Sequence, residues 1–247
     1  MNEEIETSKD VLKDYSLLKK IDRFFYFSIK RLFDIVFSLL GIMFLLPISL
    51  IVKISYVLSG DYKTIFYTQS RIGHKGKEFK FYKFRTMIPN ADKELEKILK
   101  ENKELAKEYK KNKKLKNDPR ITKMGKFLRN SSLDEFPQFI NVLIGDMALI
   151  GNRPYLPREK KEMGKYFNDI VSVKCGIISY WAVMGRSDVS FKTRLKLEQY
   201  YSKNNSLKLD IKIFTNKNFY VKIRENRKEF FKWIKVQKLN YWKFWGW

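Results

Sequence analysis

The stretch IVFSLLGIMFLLPISLIV, Ile35 to Val52, carries no charged side chain and is bounded by Asp34 and Lys53. A helix crossing a bilayer needs about 20 apolar residues, so hydrocarbon can bury a run of this length. Pro47 lies inside it. Proline lacks the N–H of a helical hydrogen bond and crowds the preceding turn, so a break or kink is expected near Leu46. The flanks do not distinguish two sides of a membrane. Lys19, Lys20, Arg23, Lys30 and Arg31 precede the run, and Lys53, Lys63, Arg71, Lys75 and Lys77 follow it. Basic flanks favour the cytoplasmic side, and here both ask for it. Three arrangements stay open: a helix that enters the membrane, bends at Pro47 and returns to the same face; a straight crossing; and a helix buried in a soluble core. The flanks and the proline favour the first, in which carbonyls freed at the bend would find partners such as Ser49 or another helix.

A formal charge of +24 calls for an anionic partner: a membrane surface, nucleic acid or a phosphorylated substrate. The wealth of Phe, Tyr and Trp suits a membrane interface. A single cysteine, Cys175, excludes an intramolecular disulfide framework and a cysteine-based metal cluster, and is expected to be a small buried hydrophobe. His74 is the only histidine and sits in the turn-like IGHKGK, where exposure is expected; a histidine zinc site or a Ser-His-Asp triad would have to use it alone. The opening MNEEIETSKD is acidic and polar, and the apolar run starts too late for a secretory signal, so the bulk of the protein is expected to be cytoplasmic.

With 247 residues the chain is expected to hold one domain with extensions, or two small ones. Residues 1–18 read as a polar lead, LLKKIDRFFYFSIKR as an amphipathic aromatic segment for the interface, and Ser28 to Ser55 as the membrane helix or its two halves. After a turn at Gly60 and Asp61, Thr64 to Gln69 is strand-like, RIGHKGKEF turns on its glycines, and Glu78 to Phe84 alternates as the returning strand with Phe79, Phe81 or their neighbours inward. Asn90 to Leu115 reads as one amphipathic helix followed by a basic linker, forming a solvated cap over the core. Gly151, Pro154 and Pro157 exclude a regular helix in ALIGNRPYLPRE, and KCGIISYWAVMGR reads as a second glycine-containing loop leading to a helix. Phe191 to Tyr201 is helical by pattern; Leu207 to Phe214 is helical or, by its alternation, a strand. The tail from Val221 is basic and aromatic, as an interfacial helix or an oligomer contact would be.

In RNSSLDEFPQFINVLIGDM an acidic pair, Asp134 and Glu135, stands in basic surroundings. Ser132 and Glu135 have capping-box spacing, so a helix is expected to begin near Asp134 and turn Phe136, Phe139, Ile140 and Leu143 to a core. A preference of acids for helix starts and plain surface charge both explain such a pair without chemistry.

The blocks KRLFDIVFSLLGIMFLLP, FYTQSRIGHKGKEFKFYKFRTM and ITKMGKFLRNSSLDEFPQFINVLIGDMALIGNRP, with the weaker GIISYWAVMGR and YSKNNSLKLDIKI, resemble the bacterial sugar transferases, the monotopic polyprenyl-phosphate sugar-1-phosphate transferases. The order LR, SLDE, PQ, NVL, GDM is highly specific, and the resemblance covers Lys30 to Val221. It implies an α+β membrane enzyme with a Pro-kinked re-entrant helix, amphipathic interfacial helices and a small β-hairpin. The domains then divide as an extension over 1–29, the re-entrant helix over 30–58, a catalytic domain over 59–221 and an interfacial extension over 222–247. The implied reaction moves a sugar-1-phosphate from a UDP-sugar to a polyprenyl phosphate, with undecaprenyl phosphate expected, through a covalent aspartyl intermediate, and releases UMP. It starts assembly of a surface glycan at the cytoplasmic face of a bacterial inner membrane.

By the same resemblance Asp134 matches the nucleophile, Glu135 its acidic neighbour, and Arg129 the residue that positions phosphate. Lys83, Arg85, Arg153 and Arg186 match substrate-binding positions. Magnesium is implied as cofactor, with Asp134 and Glu135 as its protein ligands. The expected partners are the UDP-sugar, the polyprenyl phosphate, an anionic phospholipid surface and a second copy of the chain, with no nucleic acid. The physics agrees: a carboxylate attacks phosphorus once cations neutralise the phosphates, a helix start would keep Asp134 ionised, and arginines grip phosphoryl oxygens in pairs.

Departures cluster away from Asp134. Leu46 stands where the family has serine before the helix proline, and YKTIFY replaces a GPVFF-like block. IGNRP replaces VGPRP, KCGIISYWAVMGR replaces KPGITGLAQVNGR, and Glu198 stands at a usual aspartate; Ser206 and Asp210 agree with the family. Asp146 is expected to be structural. The rivals are an inactive membrane scaffold of the same fold and a basic nucleic-acid-binding protein; the acidic pair with its arginines speaks against the first, the apolar run against the second.

Overall fold

The computed structural model describes residues 2–112, 115, 117–184 and 189–215, with side chains of the first helix from Lys20 on. Arg186 and the extension expected over 222–247 lie outside the described residues. The first element, α1, Asn2–Leu58, takes in the polar lead, the aromatic segment and the apolar run as one helix. No break divides it at Pro47. Packing on both sides of the proline offsets the hydrogen bond it removes: Leu45 and Val52 are buried in one cluster with Ile65, Phe84 and Leu128. Tyr26, Asp34, Ser38, Leu45, Val52 and Tyr56 form its buried face at helical spacing. Only 22% of its most apolar window is buried, and Leu46 is 78% exposed, so α1 is not the core helix of a soluble domain.

The domain is tied along the length of that face. Arg23 donates to Asn205 Oδ1 at 3.0 Å, Lys30 pairs with Asp210 at 2.5 Å, and Arg31 donates to the carbonyls of Val142 and Leu143 at 2.7 Å. Asp34 accepts from Leu149 N at 2.8 Å, and Tyr56 donates to the Arg85 carbonyl at 2.5 Å.

Strands β1, Phe66–Ile72, and β2, Glu78–Phe84, form the expected antiparallel hairpin, with Phe66 opposite Phe84 and Ile72 opposite Glu78. The charged segment folds as two helices rather than one, α2, Ala91–Glu101, and α3, Lys103–Asn112. Asn102 leaves the helical region and its side-chain oxygen accepts from Glu104 N and Leu105 N, both at 3.0 Å; a short polar side chain competes with the helical ladder here and starts a new helix. Helix α4, Lys123–Ser131, is capped by Thr122. Helix α5, Gln138–Ile144, then leads into β3, Met147–Ile150.

Short helices α6, Lys160–Met163, and α7, Phe167–Val171, carry the chain across to β4, Cys175–Ile178, which pairs in parallel with β3. This second sheet was not expected from the sequence. Its strands come so close that a Cβ on Gly176 would lie 2.0 Å from Gly151 N. Helices α8, Tyr180–Met184, α9, Phe191–Asn204, and α10, Leu207–Thr215, complete the described fold, α10 taking the helical alternative. Ile150, Tyr180, Val183, Met184, Tyr201 and Ile213 form the core around β3 and β4.

Candidate active site

Ser132 ends α4 in the left-handed region at φ 59° and turns the chain into a 3-10 turn, Leu133–Glu135. Leu133 and Phe136 pack into the core beside α1. The capping box expected of Ser132 and Glu135 does not form: the Ser132 side chain makes no cap bond, and the regular helix starts later, at Gln138. A left-handed Ser132 cannot serve as an extended N-cap. Asp134 therefore does not owe its charge to a helix start.

Its counter-charge comes across the chain, from β2. Lys83 Nζ lies 3.3 Å from Asp134 Oδ2 and 3.0 Å from Glu135 Oε1. Burial raises the Asp134 carboxyl above the usual range; Lys83 opposes this, Glu135 adds to it, and Arg129 opposes it from further off. Asn141, which no local pattern singles out, holds the two halves together. Its Nδ2 donates to the Lys80 carbonyl at 2.7 Å and its Oδ1 accepts from Tyr82 N at 3.1 Å, fastening α5 to β2 next to Lys83. Asp146 accepts from the same amide at 3.4 Å, a structural contact.

Lys83 and Glu135 open on a cavity of about 750 Å³, which Arg153 and Trp181 also line. Phe37, Leu40 and Phe44 of α1 form an apolar wall of it. Phe139 packs where Gly41 leaves room, since a Cβ there would lie 2.4 Å from its ring. One space thus joins Glu135 and Lys83, the two groups in contact with each other beside Asp134, to the apolar helix.

The other expected residues divide. Arg129 Nε donates to Thr86 Oγ1 at 2.9 Å, near enough to Asp134 to act on its charge. Arg85 is not brought to the cavity: it pairs with Asp61 at 2.8 Å and donates to the Thr64 carbonyl at 2.7 Å. Arg153 follows β3, its N–H donating to Glu198 Oε2 at 2.9 Å. Glu198 is wholly buried, and that burial pushes its carboxyl up to about 8 against the Arg153 N–H and the charges of Arg153 and Arg194. Trp181 and Arg194 were missed; the only sequence signal was the departure of YWAV from the family block. His74 stands apart, its Nε2 3.1 Å from the Ser172 carbonyl, and Cys175 is buried as expected.

Two carboxylates converging on one cation fit a hard divalent ion in chemistry. Magnesium binds few protein carboxylates and completes its shell with phosphate oxygens and water, so the lack of a third His, Cys, Asp or Glu among the described residues does not conflict with it.

A family model described as bacterial sugar transferase matches residues 25–223. A UDP-galactose-lipid carrier transferase of Erwinia amylovora is 40% identical over 201 residues, which are 80% of this chain and 40% of that protein. An undecaprenyl-phosphate galactose phosphotransferase of Salmonella typhimurium is 39% identical over the same length, again 40% of the relative. An exopolysaccharide production protein of Sinorhizobium fredii is 38% identical over 184 residues, 74% of this chain and 81% of that protein. The chain thus spans about two fifths of the length of the first two relatives and most of the third.

Proposed function

Because this chain belongs to the bacterial sugar transferase family, we propose that it transfers a sugar-1-phosphate from a UDP-sugar to a membrane polyprenyl phosphate and releases UMP. The observation that carries this reading is the Asp134–Glu135 pair, bridged by Lys83, beside a cavity that Glu135 and Lys83 line together with the apolar residues Phe37, Leu40 and Phe44 of α1. A water-soluble phosphate donor and a lipid acceptor need both kinds of wall.

In the first step an Asp134 carboxylate oxygen attacks the phosphorus that carries the sugar. A P–O bond forms to Asp134, the diphosphate P–O bond breaks, and UMP leaves with the electron pair. In the second step a phosphate oxygen of the polyprenyl phosphate attacks the same phosphorus and displaces the Asp134 carboxylate, giving a sugar on polyprenyl diphosphate. Lys83 and Arg129 hold phosphate oxygens, and Glu135 keeps Lys83 in place between the two carboxylates. Bound magnesium, held by Asp134 and Glu135, supplies further neutralisation of the phosphates.

The same-side topology of α1 belongs to this proposal. Tyr26 and Tyr56 lie about 45 Å apart along the helix at 1.5 Å per residue, and both are hydrogen-bonded to the same domain. A straight crossing would set about 30 Å of hydrocarbon between the flanks and draw that polar domain through it. An unbroken helix that sinks its exposed apolar face into one leaflet, with both flanks at the same surface, avoids this. Phe127, Ile144 and Ile211 on α4, α5 and α10 are exposed apolar residues suited to the same surface.

The test is UMP release by the purified full chain in detergent with polyprenyl phosphate, magnesium and a panel of UDP-sugars, beginning with galactose because two relatives are named for it. Turnover with at least one donor is expected, and Asp134→Asn is expected to lower it by at least a thousandfold, as loss of a nucleophile does. No turnover with any donor sinks the activity and leaves an inactive scaffold. Full turnover by Asp134→Asn, or a trapped phosphosugar on another residue, removes the nucleophile assignment alone.

A further inference from the structure

Two cations act on the Asp134 carboxylate from different elements, and Thr86 stands between those elements. Lys83 meets Asp134 and Glu135 from β2. Arg129 comes from α4, and its Nε donates to the Thr86 hydroxyl at 2.9 Å. Thr86 is buried, and its backbone is fixed without that bond. Its carbonyl accepts from Thr122 N at 3.1 Å, and a Cβ on Gly125 would lie 1.9 Å from the same oxygen, so the first turn of α4 rests directly on it. Tyr56 of α1 backs this place, its hydroxyl donating to the Arg85 carbonyl at 2.5 Å and lying 3.2 Å from Thr122 Oγ1. Gly125 and Arg129, one turn apart, share a face of α4. The face that rests on the Thr86 backbone thus sends Arg129 to the Thr86 side chain.

Because the backbone already seats α4, the effect of the side-chain bond falls on the guanidinium. Arginine carries its N–H donors in a planar fork. Thr86 takes the donor on Nε, and among the described residues the two terminal nitrogens make no hydrogen bond and no ion pair. Two acids are near enough to feel the charge of Arg129, Asp134 and Asp118. Asp118 is taken up by Arg120, at 2.6 Å, whereas Asp134 has a single cationic contact, Lys83 at 3.3 Å. A guanidinium loose on its long side chain would close on Asp134 and cover the carboxylate that must attack. Held at Nε, it keeps its terminal nitrogens side by side, the arrangement that fits two oxygens of a phosphate. A neutral hydroxyl suits this tether, since a carboxylate in its place would answer the charge that the phosphate needs.

We propose that Thr86 is the positioning residue for Arg129: its hydroxyl holds the guanidinium by Nε and leaves the terminal nitrogens for the sugar-bearing phosphate of the donor, clear of the Asp134 carboxylate. This rests on the transfer reaction proposed above. Thr86 itself touches no substrate; it acts through Arg129 alone.

The test is equilibrium binding of radiolabelled UDP and UMP to the full chain in detergent with magnesium, which needs no turnover. UDP carries a phosphate at the place of the sugar-bearing one, and UMP lacks it. Thr86→Val, which exchanges the hydroxyl for a methyl of similar size, is expected to weaken UDP binding about tenfold, the scale of one hydrogen bond to a charged group, and to leave UMP binding as it is. Thr86→Ser is expected to restore UDP binding. Arg129→Gln is expected to lose at least as much, and Thr86→Val added to it to cost nothing more, because a residue that acts through Arg129 has nothing to act on once Arg129 is gone. Where the melting temperature shows that Thr86→Val fails to fold, Thr86→Ala takes its place in the same comparisons. Wild-type UDP binding by Thr86→Val overturns the proposal, as does a Thr86→Ser that restores nothing, or a further loss when Thr86→Val is added to Arg129→Gln. Equal losses for UDP and UMP overturn it as well and leave Thr86 a structural residue. A wild type that binds UDP no better than UMP takes the phosphate away from Arg129, and the proposal with it. The expected binding pattern without turnover on any UDP-sugar keeps Thr86 in this role and removes the transfer reaction; turnover with UDP binding unaltered by Thr86→Val does the reverse.

Discussion

Glu198 has no exposure to solvent, and its enclosure couples its proton to folding. Its carboxyl rises from an ordinary value of 4.5 to about 8, burial being the first cause. The folded protein therefore keeps a proton that the unfolded chain gives up, so stability is highest below about pH 4.5 for this group and falls as pH rises towards 8, at about 1.4 kcal/mol per pH unit. Glu198→Gln keeps an oxygen for the Arg153 N–H and has no proton to lose. Its melting temperature is expected to exceed that of the wild type at pH 7.5 by a margin that shrinks towards pH 5; a margin independent of pH would mean that Glu198 is ionised in the fold. The sequence marked this residue only as a departure from a usual aspartate, because burial is a property of the assembled core. Asp134 and Glu135 stood out as acids in a basic chain, and the roles proposed for them came from the resemblance. Lys83 and Arg85 looked equivalent, two apart in one motif, where a continuing strand would set them on one face. The strand ends at Phe84, and Arg85 turns to Asp61 instead. Trp181 and Arg194 carry no local pattern at all; α8 and α9 bring them together with Arg153.

At the scale of elements, α1 is docked on α10 through a buried polar network. Asp210, at 5% exposure, pairs with Lys30 at 2.5 Å and accepts from Tyr26 at 3.0 Å and from Tyr201 at 2.7 Å. Asp210→Ala would leave the Lys30 ammonium with no ion pair in a mostly buried site, a loss of about 3–5 kcal/mol where such pairs are broken from one side. A fall in melting temperature is expected, with faster proteolysis between α1 and the domain. Lys30→Met combined with Asp210→Leu is expected to regain most of the loss, because no buried charge is then left alone; a double variant no better than Asp210→Ala would mean that Asp210 acts through the tyrosines. Elements with long, clean patterns were legible in the sequence: the hairpin by its alternation and its glycine turn, α9 by its helical spacing. The parallel pair was not. Four-residue strands such as MALI and CGII are too short to show a period, and their partner lies beyond a crossover that local pattern does not encode. The split between α2 and α3 turns on one asparagine inside an otherwise continuous amphipathic run.

For the molecule as a whole, the question is which side of the bilayer each flank of α1 occupies. The apolar run alone allowed three answers; its exposure removes the soluble one, and the ties from Arg23 to Tyr56 favour a helix whose flanks share one face. Asp22 and Ser59 are exposed on opposite sides of the run. Cys175 is buried, and burial pushes its thiol well above the usual range, so it adds little background to labelling of the native protein. Asp22→Cys and Ser59→Cys, made one at a time, are expected to resist a membrane-impermeant maleimide in intact cells and to react with it in inside-out vesicles, both at the same face. Labelling of one from outside and of the other from inside would make α1 a crossing helix. It would also require the contacts of Tyr26 and Tyr56 with one domain to exchange in the membrane, because a single polar body cannot hold both ends across about 30 Å of hydrocarbon. If both react on the cytoplasmic face, the proposed lipid acceptor and the proposed soluble donor would meet on the same side, and the cavity lined by Phe37, Leu40 and Phe44 of α1 and by Lys83 and Glu135 would be open to the one from the membrane and to the other from water.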